Sequence, residues 1–428
     1  MRARPVTRWA GAVAALQTAL MLAAAGPCCV AGADAVRVAE IVFEGNEHTR
    51  VEVLRREVVL QPGDVLDAAR VEQGRQQIQN LGLFRSVDAR IEPMGEAARV
   101  VYTVREKWFW QLYPRLSANS EGQNSLGGEV RLSNLWGLNH SLRLIARSRD
   151  TREADRGRDL SVRASYVAPY LLSERDSLRL ALAHNQIPYE APMAYDETID
   201  EIELVVMRTF GLPERPGQGW SLGGGPLLRR QRVSDETLAR SFGDSLGWVS
   251  ELSYRNGRDL IFSDDGRSFW ARHEIADRSL LSDYSYSVFR LSWEQALPIG
   301  TRAHQQFVYG LSLGVGNHAL DHRALFSLGG IEGLKGYERR AFEGNSFYLA
   351  HAEWLRPLYW DSLRGVIGIE LGNADWQTRD LLDTPKVSLN LGLRLRPRRL
   401  TQFELELGFA VPLGGDDPRF YGGKIERR

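Results

Sequence analysis

A serine between two glycines is the first group in this sequence whose surroundings suggest catalysis. Gly310-Leu311-Ser312-Leu313-Gly314 fits the G-x-S-x-G pattern of serine nucleophiles, which requires a sharp turn from a strand into a helix. The residues around it instead alternate between apolar and polar types, as in a continuous strand. We therefore predict that Ser312 has a structural role and that the chain is not an enzyme.

Two histidines after this serine have a spacing that zinc ligands can adopt. His318 and His322 are four residues apart, with Asp321 beside the second. Protein zinc sites use three or four protein ligands, and no further ligand is evident nearby. The sequence therefore predicts a solvated loop here, without a metal ion or a cofactor.

The segment Ser327–Arg340 is rich in glycine and carries Lys335 near its centre. Glycines allow a backbone to turn sharply and to pass close to a wall. Long alternating runs flank the segment on both sides, so we predict a loop that folds back and docks through its cationic tip. The residues expected to carry the docking are Gly329, Gly330, Leu334, Lys335, Gly336 and Tyr337.

The overall composition excludes one class of function and leaves the environment open. The 428 residues include 54 basic and 54 acidic side chains, so the formal net charge is zero. A charge-driven nucleic-acid binder needs a basic excess to neutralise phosphates, and we predict no nucleic-acid partner. The mean hydropathy of −0.31 is typical of a soluble protein, unless the polar residues alternate with apolar ones and line a lumen.

The N-terminus has the three-part organisation of a secretory signal peptide. Three arginines precede an apolar run from Trp9 to Ala25, and Ala31-Gly32-Ala33 supplies small residues for cleavage. We predict a signal peptide over residues 1–33; an N-terminal anchor helix is the alternative. Cleavage after Ala33 would remove Cys28 and Cys29, leaving no disulfide, thiol nucleophile or cysteine metal site in the mature chain.

Residues 34–107 predict a small α+β domain with the order strand, helix, helix, strand, strand. Thr49 and Glu52 have the spacing of a capping box for the first helix, and Asp67 is placed to cap the second. The candidate strands are Val36–Glu44, Ser86–Glu92 and Arg99–Glu106, and the connections contain Gly45-Asn46, Pro62-Gly63-Asp64 and Gly82-Leu83-Phe84. This order and these turns resemble a POTRA domain; a generic small α+β domain is the alternative. The resemblance implies a periplasmic module that binds client chains or partner proteins by adding a strand to its sheet.

From residue 108 to residue 428 apolar and polar residues alternate with a period of two, and the helical period is absent. In Val387–Arg396 one face is apolar and the other contains Arg394 and Arg396, whereas the polar face of Phe403–Val411 contains Glu404 and Glu406. Successive side chains of a strand point to opposite faces, so arginines and glutamates meet if these two strands pair. About sixteen such strands predict an antiparallel transmembrane β-barrel.

A periplasmic β-sandwich would also alternate, but the polar face carries full charges that a dry sandwich core would not tolerate. Aromatic residues near the predicted strand ends are typical of the interfacial girdles of a barrel. They are Trp108, Phe109, Trp110, Tyr170, Trp220, Trp270, Tyr359, Trp360 and Trp376. The glycine-rich loop lies between the eleventh and twelfth predicted strands.

A POTRA-like module, a barrel of about sixteen strands and a glycine-rich insert after the eleventh strand together resemble the BamA/TamA superfamily of outer-membrane assembly factors. Leu334-Lys335-Gly336-Tyr337 matches the family's hydrophobic-Arg-Gly-aromatic tetrad, with lysine replacing arginine. The resemblance implies that Lys335 docks on acidic groups of the barrel wall, for which Glu353 and Glu370 are the candidates. Lysine cannot form the bidentate fork of arginine, so we expect weaker docking.

The resemblance also implies a mechanism based on the junction between the first and last strands, predicted at Trp108–Asn119 and Arg419–Arg428. If these strands pair only over a short stretch, the seam can open and offer strand edges to incoming chains, because unpaired backbone groups are costly in lipid. The chain ends in Gly-Lys-Ile-Glu-Arg-Arg, without the terminal aromatic typical of outer-membrane strands. We therefore expect an unusual seam or an unusual assembly route.

The predicted function is that of an outer-membrane protein assembly, insertion or translocation factor with its N-terminal domain in the periplasm. Its expected partners are unfolded or nascent outer-membrane or secreted proteins, outer-membrane lipids, and a periplasmic or inner-membrane protein bound through the POTRA-like domain. The main alternative is a porin-like channel or structural barrel without insertase activity. A two-partner secretion transporter is less favoured, because neither a plug helix nor a second POTRA domain precedes the barrel.

Overall fold

The computed structural model describes eleven stretches of the chain. They are residues 36–119, 124–150, 158–173, 175–189, 194–212, 215–239, 242–317, 324–331, 333–397, 404–414 and 417–425. The predicted signal peptide and the two histidines His318 and His322 lie outside these residues. Among the described residues, no helix is both long enough and apolar enough to span a membrane.

The N-terminal domain has the predicted order of elements. It consists of β1 (Arg37–Glu44), α1 (Val51–Glu57), α2 (Ala68–Asn80), β2 (Phe84–Met94) and β3 (Ala97–Glu106). The strands form a sheet with β3 in the centre, parallel to β1 and antiparallel to β2. The two helices pack on this sheet around a core that includes Leu54, Ile78, Phe84, Val100 and Tyr102.

One of the two predicted helix caps is present and the other is not. Asp67 accepts a hydrogen bond of 2.8 Å from the amide of Ala69 and caps α2. The capping box predicted for α1 is wrong, because the N-cap is Arg50 and makes no side-chain capping bond. The hydroxyl of Thr49 instead donates a hydrogen bond of 2.5 Å to Glu106 at the end of β3. The carboxylate of Glu106 thus takes the place predicted for that of Glu52, and it joins the start of α1 to the sheet.

The C-terminal domain is a closed antiparallel barrel of sixteen strands, as predicted. The strands are β4 (Trp110–Asn119), β5 (Asn124–Leu135), β6 (His140–Asp150), β7 (Arg158–Pro169), β8 (Asp176–Tyr189), β9 (Tyr195–Leu212), β10 (Arg215–Val233), β11 (Asp244–Asp259), β12 (Asp264–Ala276), β13 (Tyr286–Pro298), β14 (Gln306–Asn317), β17 (Ser346–Pro357), β18 (Leu363–Asp375), β19 (Lys386–Leu395), β20 (Leu405–Pro412) and β21 (Arg419–Lys424). The remaining short elements are α3 (Glu236–Ala239), the hairpin strands β15 (Phe326–Leu328) and β16 (Phe342–Gly344), and a 3₁₀ turn at Thr378–Asp380.

The alternating pattern of the sequence separates an apolar outer face from a charged lumen. In β19 the side chains of Leu389, Leu391 and Leu393 are exposed on the outside, whereas Ser388 and Arg394 are buried inside. In β20 the register places Arg394 directly opposite Glu406, so the predicted meeting of arginines and glutamates occurs. The polar face is therefore the lumen of the barrel, and the apolar face is suited to lipid.

The N-terminal domain contacts the turns at one end of the barrel, which we call the proximal rim. The amide of Arg50 donates to the carbonyl of Gly137 at 3.0 Å, and the side-chain amide of Asn134 donates to Thr49 at 2.8 Å. A third contact joins the phenol of Tyr170 to Glu57 at 2.9 Å. Tyr170 was predicted to belong to an aromatic girdle, but it packs on the N-terminal domain instead, with the guanidinium of Arg56 over its ring.

The bounds of the first and last barrel strands differ slightly from the prediction. The first strand begins at Trp110 rather than Trp108, because Phe109 packs against the core of the N-terminal domain. The last strand ends at Lys424, and residues 426–428 lie outside the described part of the chain. Among the described residues, these two strands pair only through Tyr421 with Asn119 and Gly422 with Ala118.

Candidate functional site

The glycine-rich segment is a loop that lies inside the barrel. Its stem is the hairpin of β15 and β16, in which Ser327 is paired with Glu343. Beyond the stem, Gly330 adopts a φ of 79°, a left-handed conformation that glycine enters without steric cost. Leu334 also has a positive φ of 62°, although it is not glycine. Its side chain is fully buried, in a cluster with Tyr337, Phe326 and Phe347, so packing of the tip offsets the backbone strain.

Lys335 is surrounded by three glutamates from three strands of the barrel wall. Its Nζ atom lies 3.0 Å from Oε1 of Glu353, 3.2 Å from Oε1 of Glu406 and 3.5 Å from Oε1 of Glu370. The backbone amide of Lys335 donates a further bond of 2.7 Å to Glu370. The Nζ atom donates a hydrogen bond to Glu353 and lies within ion-pair distance of the other two carboxylates.

The residues next to Lys335 fix its backbone against the wall. The amide of Gly336 donates to Oγ of Ser388 at 2.9 Å, and the phenol of Tyr337 donates to the carbonyl of Val387 at 3.2 Å. A Cβ atom on Gly336 would lie 2.7 Å from Oγ of Ser388 and 2.9 Å from the backbone nitrogen of Pro412. Only glycine can therefore occupy this position without displacing the wall.

Arg394 is the second cation of this cluster. Its Nη2 atom lies 2.7 Å from Glu353, and its Nε atom lies 2.6 Å from Glu406. Two cations thus face three carboxylates, and all five side chains are at most about one tenth exposed. Buried charges cost desolvation energy that only complete pairing offsets, and removal of one partner is far more costly than replacement of the whole set. The cluster therefore joins the tip of the loop to β17, β18 and β20.

The sequence identified only part of this site. Gly329, Gly330, Leu334, Lys335, Gly336 and Tyr337 lie in the docked loop, and Glu353 and Glu370 face Lys335 from β17 and β18. Three wall residues were missed: Ser388, Arg394 and Glu406. The signal for the last two was present, because they were expected to meet across β19 and β20. Their proximity to Lys335 depends on the curvature of the barrel, which alternation does not encode.

A cavity of about 450 Å³ lies between the loop and the junction of the first and last strands. Its lining includes Gly330 and Lys335 of the loop, Ser117 of β4 and Gly423 of β21. A Cβ atom on Gly423 would lie 3.0 Å from Cδ1 of Ile331 and 3.4 Å from Cβ of Ser117. The loop, the last strand and the first strand therefore meet around one space inside the barrel.

Two further motifs of the sequence, one around Ser312 and one at His318 and His322, were candidates for catalysis or metal binding. Ser312 is within β14, away from any strand-to-helix turn, and its hydroxyl donates to Ser292 at 3.3 Å. Within the part of the chain that the structure describes, no group of three or more His, Cys, Asp or Glu residues could hold a metal ion. Because His318 and His322 fall outside that part, the loop predicted for them stays a prediction.

A titratable carboxyl group is buried where the two domains meet. Glu57 is the last residue of α1, and only 5% of its surface is exposed. Burial raises the pKa of Glu57 to about 7, while the hydrogen bond from Tyr170 and the charge of Arg56 act in the opposite direction. The contact between the N-terminal domain and the barrel therefore contains a group that titrates near neutral pH.

The N-terminal domain matches a known family model. Residues 36–107 match the model described as POTRA, surface antigen variable number repeat. The match covers the three strands and two helices described above, so the predicted POTRA resemblance is confirmed.

Solved structures share the fold of nearly the whole chain at low sequence identity. The structure of BamA from Haemophilus ducreyi lacking POTRA domains 1–3 is 16% identical with a TM-score of 0.57, covering 91% of this chain and 85% of that chain. CdiB from Acinetobacter baumannii is 16% identical with a TM-score of 0.58, covering 91% and 74%. CdiB from Escherichia coli is 14% identical with a TM-score of 0.61, covering 91% and 77%. The predicted architecture, a POTRA domain followed by an antiparallel barrel of about sixteen strands, is confirmed.

Proposed function

We propose that this chain, in which a POTRA domain precedes a barrel with the fold of BamA and CdiB, is an outer-membrane protein insertion or translocation factor. The observation that carries the proposal is the incomplete pairing between the first and last strands. From Trp110 to Ser117, the described residues of β4 have no partner in β21, whereas β4 is paired with β5 along its length. The proximal half of the seam therefore lacks a backbone ladder.

An unpaired strand edge in this position can serve as a template for another chain. Backbone groups without partners cost several kcal/mol in the hydrocarbon region of a membrane, so an incoming strand that pairs with β4 is stabilised. Pro114 lies in the middle of β4, and proline is confined to edge strands or bulges because it cannot donate to a ladder. The sequence of the first strand is thus suited to an edge that is not permanently covered.

The docked loop supports the proposal by linking the lumen to the seam. Ile331 lies against Gly423 of the last strand, and Arg419 of the same strand is 3.4 Å from Glu338 of the loop. The loop therefore contacts the strand that would move if the seam opened. We infer that movement of β21 is coupled to the Lys335 cluster, because Tyr421 of β21 donates a hydrogen bond to Glu406 of that cluster.

The POTRA domain supplies a surface for capturing extended chains before they reach the barrel. Its sheet has the order β1-β3-β2, which leaves β2 as an edge strand that pairs with no further strand among the described residues. An extended peptide can add to such an edge through main-chain hydrogen bonds. The contacts of Arg50 and Glu57 with the proximal rim support a role for this domain in delivering chains to the unpaired half of the seam.

Reconstitution with a client tests the proposal directly. The purified protein is inserted into liposomes, an unfolded outer-membrane barrel protein is added, and client folding is followed by the change in its gel mobility without boiling. A cysteine pair at Ala118 and Gly422, which are direct partners across the seam, allows the seam to be closed by oxidation, since directly paired strand positions have disulfide-compatible spacing. We expect the reduced protein to accelerate client folding over empty liposomes and the oxidised protein to lose this effect.

The single variant Ala118→Cys serves as the matched control, because it can be oxidised without cross-linking the strands. If the reduced protein gives no acceleration, the insertion function is wrong and the porin-like alternative is favoured. That alternative predicts a steady ion conductance that is independent of the seam disulfide.

A further inference from the structure

The side chain of Lys424 has an unexpected orientation at the end of the last strand. Lys424 is paired with Leu405 of β20, and by alternation it shares the face of Phe420, which is exposed to the outside. Its Nζ atom nevertheless lies 2.5 Å from Oε2 of Glu129, a fully buried residue of the lumen. The strand therefore turns Lys424 inward at its end, just beyond the last paired position of the seam at Gly422.

Glu129 lies one strand beyond the seam, on β5. The contact between Lys424 and Glu129 consequently spans β4 and joins β21 to the second strand of the barrel. Three arginines also surround this carboxylate, at 2.8 Å each: Arg115 from β4, Arg131 from β5 and Arg143 from β6. Glu129 is thus paired with cations from both sides of the seam.

The side chain of Lys424 also contacts an aromatic ring beside this cluster. The ammonium group lies 4.9 Å from the centroid of Tyr113, a buried residue of β4. The guanidinium of Arg131 lies 5.7 Å from the same centroid. Because the negative face of an aromatic ring attracts cations, Tyr113 stabilises the charge of Lys424 along its path between the strands.

We propose that Lys424 is a side-chain latch that holds the proximal half of the seam closed. This half has no ladder between β4 and β21 among the described residues, so the ion pair with Glu129 replaces backbone hydrogen bonds as the attachment. The proposal rests on the proposed function, because only a seam that opens requires a contact that can be released.

The asymmetry of the cluster suits a contact that breaks and re-forms. When Lys424 leaves, Glu129 still has Arg115, Arg131 and Arg143 as partners, so no buried carboxylate is left unpaired. Release breaks the ion pair with Glu129 and the cation–π contact with Tyr113, and it leaves the arginine partners of Glu129 in place. A ladder of strand hydrogen bonds would have to break several backbone contacts in lipid to achieve the same opening.

Hydrogen exchange of the backbone amides tests the latch in the intact protein in liposomes, without any client. The variant Lys424→Gln removes the charge, and Lys424→Arg retains it. We expect exchange over Arg419–Lys424 and over Trp110–Asn119 to accelerate about tenfold or more in Lys424→Gln, because a buried ion pair is lost. The arginine variant should remain close to the unmodified protein.

Lys386 provides the matched control. It is a lysine on β19 whose ammonium lies over the ring of Phe342, away from the seam, so Lys386→Gln should leave exchange in both seam strands unchanged. Lys424→Met, which keeps the apolar stem next to Tyr113, is the second variant if the glutamine variant does not fold. Gel mobility without boiling verifies folding of each variant.

Unchanged exchange in folded Lys424→Gln or Lys424→Met would overturn the latch, and so would failure of both variants to fold, since the remaining arginines should keep Glu129 satisfied. These outcomes are separate from failure of the proposed function. A protein can show faster seam exchange in Lys424→Gln and still fail to accelerate client folding, which would retain the latch and reject the insertion function.

Discussion

The Nζ atom of Lys335 lies 3.2 Å from Oε1 of Glu406, and the same oxygen accepts a hydrogen bond of 2.9 Å from the phenol of Tyr421. Lys335 is at the tip of the inward loop and Tyr421 is in the last strand, so one carboxylate serves both elements. The ammonium group is also 5.4 Å from the centroid of the Tyr421 ring. Loop docking and the position of the last strand are therefore energetically linked, and a change in either should be detected in the other.

Removal of the charge at Lys335 should undock the loop. In Lys335→Met, Glu353 and Glu406 would keep Arg394 as a partner, whereas Glu370 would lose the ammonium group that lies 3.5 Å from it. Because breaking a buried ion pair leaves uncompensated charge, we expect a loss of about 3–5 kcal/mol in the free energy of unfolding. Urea unfolding in detergent measures this loss, and hydrogen exchange over the loop and β21 should rise together.

The variant Arg230→Met is the control for the loss of a cation outside this cluster, because Arg230 forms an exposed ion pair with Asp244. An unfolding midpoint of Lys335→Met equal to that of the control would contradict the role assigned to Lys335.

Replacement of Lys335 by arginine should not strengthen docking. The three acceptors come from separate strands and surround a point charge, whereas a guanidinium is planar and suits bidentate contacts. The larger group must also fit among the buried side chains of Glu353, Glu370 and Glu406, and overpacking at such a site typically costs about 1–3 kcal/mol. Denaturant unfolding of Lys335→Arg should show a decrease in the free energy of unfolding within this range. An increase would show that the barrel wall can pair with a guanidinium at least as well as with an ammonium group.

The period of two in the sequence was sufficient to predict the barrel, because alternation determines which side chains face lipid and which face the lumen. It also predicted that the arginines of β19 and the glutamates of β20 meet, as Arg394 and Glu406 do, since paired strands bring their polar faces together. It did not predict that Glu406 would reach Lys335. That contact joins a loop to a strand about seventy residues further along the chain, and it depends on how far the barrel curves between β17 and β20.

Local patterns were less reliable where distant elements compete for the same group. Thr49 and Glu52 have the spacing of a capping box, but Glu106 captures the Thr49 hydroxyl from the neighbouring sheet. Tyr170 has the position of a girdle residue, but the POTRA domain covers it. Lys424 shows the largest departure of this kind. The alternation of β21 predicts that its side chain faces lipid, whereas its partner Glu129 lies in the lumen. In each case a tertiary partner overrides the local pattern.

The close approach at Gly336 predicts a strong effect from a single methyl group. A Cβ atom there would be 2.7 Å from Ser388 Oγ and 2.9 Å from the nitrogen of Pro412, and the backbone of β20 cannot move away easily. We expect Gly336→Ala to lower the free energy of unfolding by about 1–3 kcal/mol and to accelerate exchange of the loop amides. Gly128→Ala on β5 is the matched control, because a Cβ atom there would meet nothing within 4 Å.

The contact between the POTRA domain and the barrel should depend on pH through Glu57. Its pKa is raised to about 7 from the ordinary value of 4.5, so the folded state binds the proton more tightly than the unfolded state does. Stability from this group is therefore fully present below pH 4.5, falls as the pH rises towards 7, and is constant above that. The shift corresponds to at most about 3 kcal/mol, measured as slower exchange of the α1 amides at pH 5 than at pH 8, after correction for intrinsic exchange rates.

Two variants separate Glu57 from other titrating groups at this contact. Glu57→Gln is neutral at every pH, so the pH dependence of α1 protection should be lost, with protection at pH 8 close to that at pH 5. Tyr170→Phe removes the hydrogen bond that lowers the pKa of Glu57, so the fall in protection should extend to higher pH. A pH dependence that persists unchanged in Glu57→Gln would assign the effect to another group, since the buried carboxyl of Glu57 is absent from that variant.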